Sequence, residues 1–171
     1  MKTLLLSLLL LLPCSLHAAL NSFLELTVDG SPIVGDATTN SMGGTDVSQM
    51  LEVVAFRHEL IRTSSSGVTH KGFTLVKRLD KSTPLLAQAL AVNSTGQAVL
   101  HLYRRNSDTG EIEEYLTYTL ENCQFVRVQP WKPSTLDPDT AASPDLEEIT
   151  LTYQSLTIES TTSGNAVSIA R

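Results

Sequence analysis

Cysteine is almost missing from this sequence, which has two in 171 residues. Cys14 lies in an N-terminal apolar segment, and Cys123 is alone in the rest of the chain. Outside that segment, one thiol cannot form an intramolecular disulfide, and no second cysteine is available to complete a zinc site. We therefore predict that Cys123 is a buried, unreactive thiol on a strand. A reactive or intermolecular thiol is the alternative.

Long hydrophobic runs are also missing. The longest, from Leu4 to Leu12, has nine residues with one serine among them, whereas a membrane-spanning helix needs about 20. Lys2 precedes this run, Pro13 ends it, and small residues follow as far as Ala19. This layout is typical of a secretory signal peptide.

We therefore predict a signal peptide at residues 1–19 and a single domain at residues 20–171. The exact cleavage site is left open, because neither Leu16 nor His17 suits the −3 position. A lipoprotein attached through Cys14 is the weaker alternative, since Pro13 stands where a small residue is expected. The signal implies transit through the periplasm and a secreted or extracellular protein.

Positive charge is scarce. The formal net charge is −6, and it becomes −7 once residues 1–19 are removed, because they hold Lys2 and no acidic residue. Nucleic acids bind proteins that offer a basic face. The charge therefore excludes a nucleic-acid partner, and it also argues against binding to an anionic membrane after signal cleavage.

Motifs for bond chemistry are absent from the sequence. His58, His70 and His101 are not spaced as metal ligands, and no nucleophile elbow or phosphate-binding loop occurs. The prediction is therefore that the protein is not an enzyme and has no catalytic, metal or cofactor site. A small secreted hydrolase, with a triad assembled only in space, is kept as an alternative.

The remaining pattern is that of a β-protein. About eight short alternating segments are separated by glycine, proline and asparagine, and only 5% of residues are aromatic, which predicts a mainly aliphatic core. Gly110 is placed to complete a hairpin turn after Asn106. Met50 to Ile61 is predicted to form one strand, and Ser160 to Asn165 a flexible segment.

The stretch from Thr69 to Leu90 joins a strand to a helix. Phe73, Leu75 and Lys77 fall on one face of an extended segment. Ser82 or Thr83 can then cap a helix in which Pro84 takes an early position. An apolar stripe at helical spacing follows, and Asn93 and Gly96 are read as stop signals. We predict one short amphipathic helix at about 83–92.

This order of elements resembles the haemolysin-coregulated protein (Hcp) family, the tube subunits of bacterial type VI secretion systems. The resemblance covers nearly all of residues 23–171. It is carried by the stretches VTHKGF (68–73) and DKSTPLL (80–86), by Leu90, by the paired strands at 98–103 and 115–120, and by the late strand at 146–153.

The resemblance implies a fold and a function. The fold is mainly β, an antiparallel two-sheet distorted β-barrel with one helix. The function is self-assembly into homohexameric rings that stack into a tube, with the sheath, the spike protein and small effectors carried in the ring lumen as further partners. The family has no catalytic residues to transfer. The loop from Ser31 to Gln49 resembles the family's ring-stacking loop, which assigns that role to Val34, Asp36, Met42 and Asp46.

One feature departs from the family, because typical tube subunits have no cleavable signal. A later start at Met42 or Met50 would delete the first strand, which argues against a misassigned start. The alternative function is therefore a periplasmic or secreted Hcp-like binding module that acts outside the tube.

Overall fold

A computed structural model describes residues 20–64 and 67–171, with side chains outside 63–66, so the predicted signal peptide lies outside the described residues. The elements in chain order are β1 (Ser22–Val28), β2 (Ser31–Pro32), β3 (Ser41–Met42), β4 (Thr45–Asp46), β5 (Leu51–Arg57), β6 (Leu60–Ser64), β7 (Gly67–His70), β8 (Phe73–Arg78), α1 (Thr83–Ala91), β9 (Thr95–Arg105), β10 (Ile112–Trp131), β11 (Leu146–Thr152), β12 (Ser155–Glu159) and β13 (Ala166–Ala170).

The main sheet curls into a distorted barrel. Its nine antiparallel strands run β11–β8–β5–β1–β9–β10–β12–β13, with β2 beside β1, and β10 also pairs with β11. Strand β10 has 20 residues, and this length lets it pair with three strands, β9, β11 and β12. Its register shifts three times, after Glu114 and Leu120 against β9 and after Phe125 against β11, and such irregularities bend a strand. The predicted antiparallel β-barrel with one helix is confirmed.

Strands β8 and β11 show the predicted alternation. Phe73, Leu75 and Lys77 are fully buried on the inner face of β8, and Ile149 and Leu151 are fully buried on β11. Two neighbouring strands with the same period therefore direct one face of each into the core. The buried row of β8 thus ends in a charged side chain.

Helix α1 packs onto the main core and confirms the predicted helix to within one residue. It buries Leu86 and Ala89 and leaves Leu85 44% exposed. The predicted cap is wrong in its detail. The Ser82 hydroxyl donates to the Asp80 carboxylate and makes no cap hydrogen bond to the helix. Within the described residues, no helix has the length and apolar character to span a bilayer.

The predicted turn at Gly110 and the helix stop signal at Asn93 are confirmed, and the stop signal at Gly96 is wrong. Gly110 and Asn93 both have positive φ, at 72° and 56°. Gly96, however, lies within β9 and not at the helix exit. A Cβ at this position would come within 2.1 Å of the Thr27 carbonyl oxygen of β1. The glycine is therefore required by the close approach of two paired strands.

Met50 to Ile61 does not form one strand. The chain leaves β5 after Arg57 and enters β6 at Leu60, which pairs with His70 of β7. The register of β5 against β8 also shifts between Val53 and Ala55. Such a shift interrupts the alternation of faces, and it leaves Val54 39% exposed. The β6–β7 hairpin therefore projects from the barrel as a separate two-stranded unit.

The loop from Ser31 to Gln49 is mostly irregular, as predicted, and contains β2 and the small β3–β4 hairpin. A second apolar cluster anchors it to the barrel. This cluster consists of Phe23, Val47, Met50 and Tyr103, with Met42 packed against it. The loop is therefore a structured projection and not a loose connection.

Candidate functional site

The four loop residues to which the sequence analysis assigned ring stacking lie in three local environments. Val34 and Asp46 line the same open cavity of about 400 Å³ between the loop and β1. Met42 packs against the second apolar cluster, and Asp36 reaches the start of the helix. The loop thus presents one shared surface, at Val34 and Asp46, and uses the other two residues for attachment.

Asp36 attaches the loop to the helix start. Its carboxylate lies 2.8 Å from Lys81 Nζ, and both side chains are about half exposed. A side-chain hydrogen bond from Lys81 lowers the pKa of Asp36 below its ordinary value. At Asp46, the backbone N–H of Ser48 donates to the carboxylate at 3.0 Å and lowers its pKa as well. Both loop carboxylates are therefore fixed in position and charged.

A buried ionic cluster lies beneath this attachment. Lys77 Nζ is 2.5 Å from Glu147 Oε1 and 2.9 Å from Asp80 Oδ1, and the side chains of Lys77 and Glu147 are fully buried. The Thr83 hydroxyl donates to the same Glu147 oxygen at 2.8 Å. The cluster therefore joins β8, β11 and the first turn of α1. The sequence placed Lys77 on the same strand face as Phe73 and Leu75, and this shared face was the available signal for its burial.

Burial by itself would raise the pKa of Asp80, but hydrogen bonds from Ser82 and Lys77 lower it below its ordinary value of 3.8. A carboxyl with a lowered folded-state pKa stabilises the fold above its ordinary pKa, and that stabilisation disappears as the pH falls through the folded value. The ionic cluster is therefore intact at neutral pH and weakens below about pH 4.

Each of the three histidines is hydrogen-bonded to another side chain. The Tyr153 hydroxyl lies 2.7 Å from His58 Nε2 and 2.9 Å from His70 Nδ1. His101 Nδ1 lies 2.6 Å from Glu114 Oε1. Outside residues 1–19 and 63–66, the hydrogen bonds join no serine to a histidine, and no group of three or more His, Cys, Asp or Glu could hold a metal ion.

Cys123 is buried in the main core, as predicted. Burial raises the pKa of this thiol from 9.0 to about 11, which lowers the thiolate fraction at pH 8 by about a hundredfold. We expect dithionitrobenzoate to label Cys123 at least about a hundredfold more slowly in the native protein than in urea. Rapid stoichiometric labelling of the native protein, or a disulfide-linked dimer, would support the reactive-thiol alternative.

A free sheet edge is the surface that sequence reasoning missed. Strand β13 ends the path of the main sheet, and no described strand pairs with its outer edge. Its sequence, AVSIA, has no charge and no proline, and Val167 is 51% exposed. The predicted flexible segment at Ser160 to Asn165 ends directly before β13, and no strand was predicted after it. The alternation of Val167 and Ile169 with small residues was the available signal.

Comparison with known proteins identifies the family. The model of the family described as "Type VI secretion system effector, Hcp" matches residues 25–159. The major exported protein of Pseudomonas aeruginosa is 30% identical over 150 residues, which cover 82% of this chain and 87% of that protein.

Solved structures agree on the fold. Hcp1 from E. coli EAEC 042, solved in a mutant form, superposes with a TM-score of 0.75 at 25% identity, covering 88% of this chain and 99% of that one. The secreted protein Hcp3 from Pseudomonas aeruginosa gives 0.72 at 24% identity, covering 88% and 97%.

The antiparallel barrel, its single described helix and the projecting loop define a secretion-tube type of β-barrel protein. This chain belongs to the Hcp family of type VI secretion. That family consists of secreted structural proteins that form ring and tube assemblies, and it is not an enzyme family.

Proposed function

We propose that this protein associates with copies of itself into six-membered rings, which stack into the tube of a type VI secretion system, and that it catalyses no reaction. The observation that carries the proposal is the family match across residues 25–159, which takes in the barrel, the loop and the helix. A ring requires heterologous contacts, in which each copy offers two different surfaces to its neighbours.

The outer edge of β13 supports the proposal as one of those two surfaces. Ser160 N–H donates to Asn165 O at 2.8 Å, and Arg171 N–H donates to Gln154 O at 2.8 Å. In an antiparallel pair, residues that hydrogen-bond to the neighbouring strand alternate with residues whose N–H and C=O point away from it. The odd-numbered residues of β13 therefore hydrogen-bond to β12. The N–H of Ser168 therefore points to the free edge, where a strand of another copy can accept it.

We expect Ser168→Pro to block assembly and to leave the fold intact. Proline removes the one N–H at the centre of the free edge, and this N–H is not used by the β12–β13 ladder. Analytical ultracentrifugation and electron microscopy would show annular particles for the wild type and monomers for the variant.

Ser168→Ala is the matched control, because it removes the hydroxyl that accepts from Thr157 at 3.1 Å and keeps the backbone N–H. It should assemble like the wild type. Rings in the Ser168→Pro variant would reject β13 as an interface and leave ring formation possible through another surface. A wild-type protein that stays monomeric at high concentration and high salt would reject self-assembly itself.

The net charge of the protein determines the ionic strength at which assembly should be measured. Six copies at −7 each carry a formal charge of −42, and the repulsion between them is screened over about 8 Å at physiological ionic strength. Assembly should therefore strengthen as salt is added.

Ring stacking is assigned to the surface of the loop that includes Val34, Asp36, Met42 and Asp46. The attachment of Asp36 to Lys81 and of Met42 to the second apolar cluster supports this role, because a stacking projection must keep one shape. The open cavity beside Val34 and Asp46 offers space for part of the neighbouring ring. Small effectors in the ring lumen, the sheath and the spike protein are the further partners in this proposal.

The layout of residues 1–19 favours a second candidate function, a periplasmic or secreted binding module that acts outside the tube. It implies Sec-dependent cleavage and transit through the periplasm before release. Deleting the sheath gene separates the two functions. Export that continues without the sheath favours the module, and export that stops favours the tube component.

A further inference from the structure

The structure places two histidines at the base of the projecting hairpin formed by β6 and β7. His58 lies just before β6, and His70 is the last residue of β7. Leu60 pairs with His70, and Lys71 N–H donates to the Glu59 carbonyl at 3.0 Å. The two histidines therefore stand where the hairpin leaves the barrel.

Both histidines bind the same barrel group. The hydroxyl of Tyr153, which directly follows β11, lies 2.7 Å from His58 Nε2 and 2.9 Å from His70 Nδ1. A phenol has one proton, so it donates to one ring and accepts from the N–H of the other. This arrangement requires that at least one imidazole nitrogen facing the hydroxyl carries no proton.

We propose that His58, His70 and Tyr153 form a pH-operated latch that holds the β6–β7 hairpin on the barrel and releases it on acidification. A first proton can enter on the outer nitrogen of the ring that already donates, and the hydrogen bonds remain. A second proton puts an N–H on both facing nitrogens. The phenol proton then loses its acceptor, and two positive rings share one oxygen.

The surroundings of the two histidine rings make the second protonation less favourable. Burial, and then the charge of His70, lower the pKa of His58 below its ordinary value of 6.5. Phe73 packs against the His58 ring at a centroid distance of 5.2 Å, and the ring of Tyr118 packs against Phe73 in turn. Burial also raises the pKa of Tyr153, so this phenol stays protonated near neutral pH.

No carboxylate of the described residues is hydrogen-bonded within the cluster. Arg57, Glu59 and Lys71 are exposed to solvent, and Arg171 adds a further positive charge towards Tyr153. Because the folded pKa of His58 is lowered, the latched form has its full stability above pH 6.5 and loses stability as the pH falls below that value.

Hydrogen exchange of the purified protein tests the latch. After correction for intrinsic rates, hairpin amides at 60–62 and 67–70 should exchange about tenfold faster relative to the barrel at pH 5.0 than at pH 7.5. The difference arises because burial lowers the pKa of His58 in the latched form, so protonation at pH 5.0 favours the released hairpin. Equal protection at the two pH values would overturn the proposal.

Two variants make the test specific. Tyr153→Phe removes the shared hydroxyl and keeps the ring, so its hairpin should exchange rapidly at both pH values. His101→Gln removes a histidine that bonds Glu114 instead, and it should keep the wild-type pH response. A Tyr153→Phe variant that retains this response would contradict the latch.

A measurement on the wild type avoids dependence on the folding of either variant. In an NMR titration, the amide shifts of Leu60 and Val68 should move with the same midpoint as the ring proton of His58, below pH 6.5. Independent midpoints would contradict the coupling. The latch acts within one copy of the chain, so it does not depend on the proposed assembly.

Discussion

Lys77→Met should destabilise the protein by about 3–5 kcal/mol, because it leaves the fully buried Glu147 carboxylate without its positive partner. The side chain of methionine fills much of the same space, so the loss measures the charge more than the packing. Urea unfolding of the wild type and the variant gives the difference. A variant within about 1 kcal/mol of the wild type would show that Glu147 finds another partner or becomes neutral.

Two companion variants separate pairing from burial. Lys77→Met combined with Glu147→Leu should recover part of the lost stability, because it removes the unpaired Glu147 charge from the core. Asp80 then still lacks Lys77 but keeps its hydrogen bonds from Ser82. Lys81→Met breaks the exposed ion pair with Asp36, and it should change stability little, because water already screens that pair. If the double variant were as unstable as Lys77→Met, then Asp80 or the lysine packing would carry the effect.

Leu86→Ala should cost about 2–5 kcal/mol, because it removes a fully buried side chain where α1 meets the main core. A domain of this size has a free energy of unfolding of about 5–15 kcal/mol, so the variant loses a large part of it. The midpoint of thermal unfolding should fall by about 2–4 °C for each kcal/mol lost.

Leu85→Ala is the matched control on the same helical turn. Leu85 is 44% exposed, so its truncation should stay within about 0.5–1 kcal/mol of the wild type. An equal loss in both variants would mean that Leu85 is covered by another surface, such as a neighbouring copy. Repeating the measurement under conditions where the protein is monomeric would reveal that contact.

The ionic cluster and the loop attachment meet at the start of α1. Asp80 accepts from Lys77 at 2.9 Å, and its other oxygen accepts the N–H of Asp36 at 3.1 Å. One carboxylate thus connects the core of the barrel to the base of the projecting loop. We infer that the loop keeps its shape through this connection, which suits the stacking role proposed for it.

The aromatic residues show what composition leaves open. At 5% of the chain, they predicted a mainly aliphatic core, and the buried core is indeed mostly leucine, isoleucine, valine and alanine. The few rings are nevertheless not scattered, because Phe56, Phe73 and Tyr118 form one cluster with centroid distances of 5.4–5.8 Å, beside the rings of His58 and Tyr153. Composition reports how many rings there are and not where they meet, because they come from strands far apart in the sequence.

The family followed from the resemblance of whole stretches of the sequence. The sequence by itself also determined the strand content, the helix after residue 82, the turn at Gly110 and the helix stop at Asn93. These features depend on local periodicity and backbone preference, which neighbouring residues express directly. The negative charge and the lone Cys123 likewise limit the possible partners and disulfides, whatever fold the chain adopts.

Only the tertiary structure decided which residues meet across the sheet. It paired Lys77 with Glu147, brought His58 and His70 to Tyr153, required glycine at position 96 and left β13 as the free edge. Each of these depends on strand register, and register is set by long-range packing that no local stretch of sequence contains.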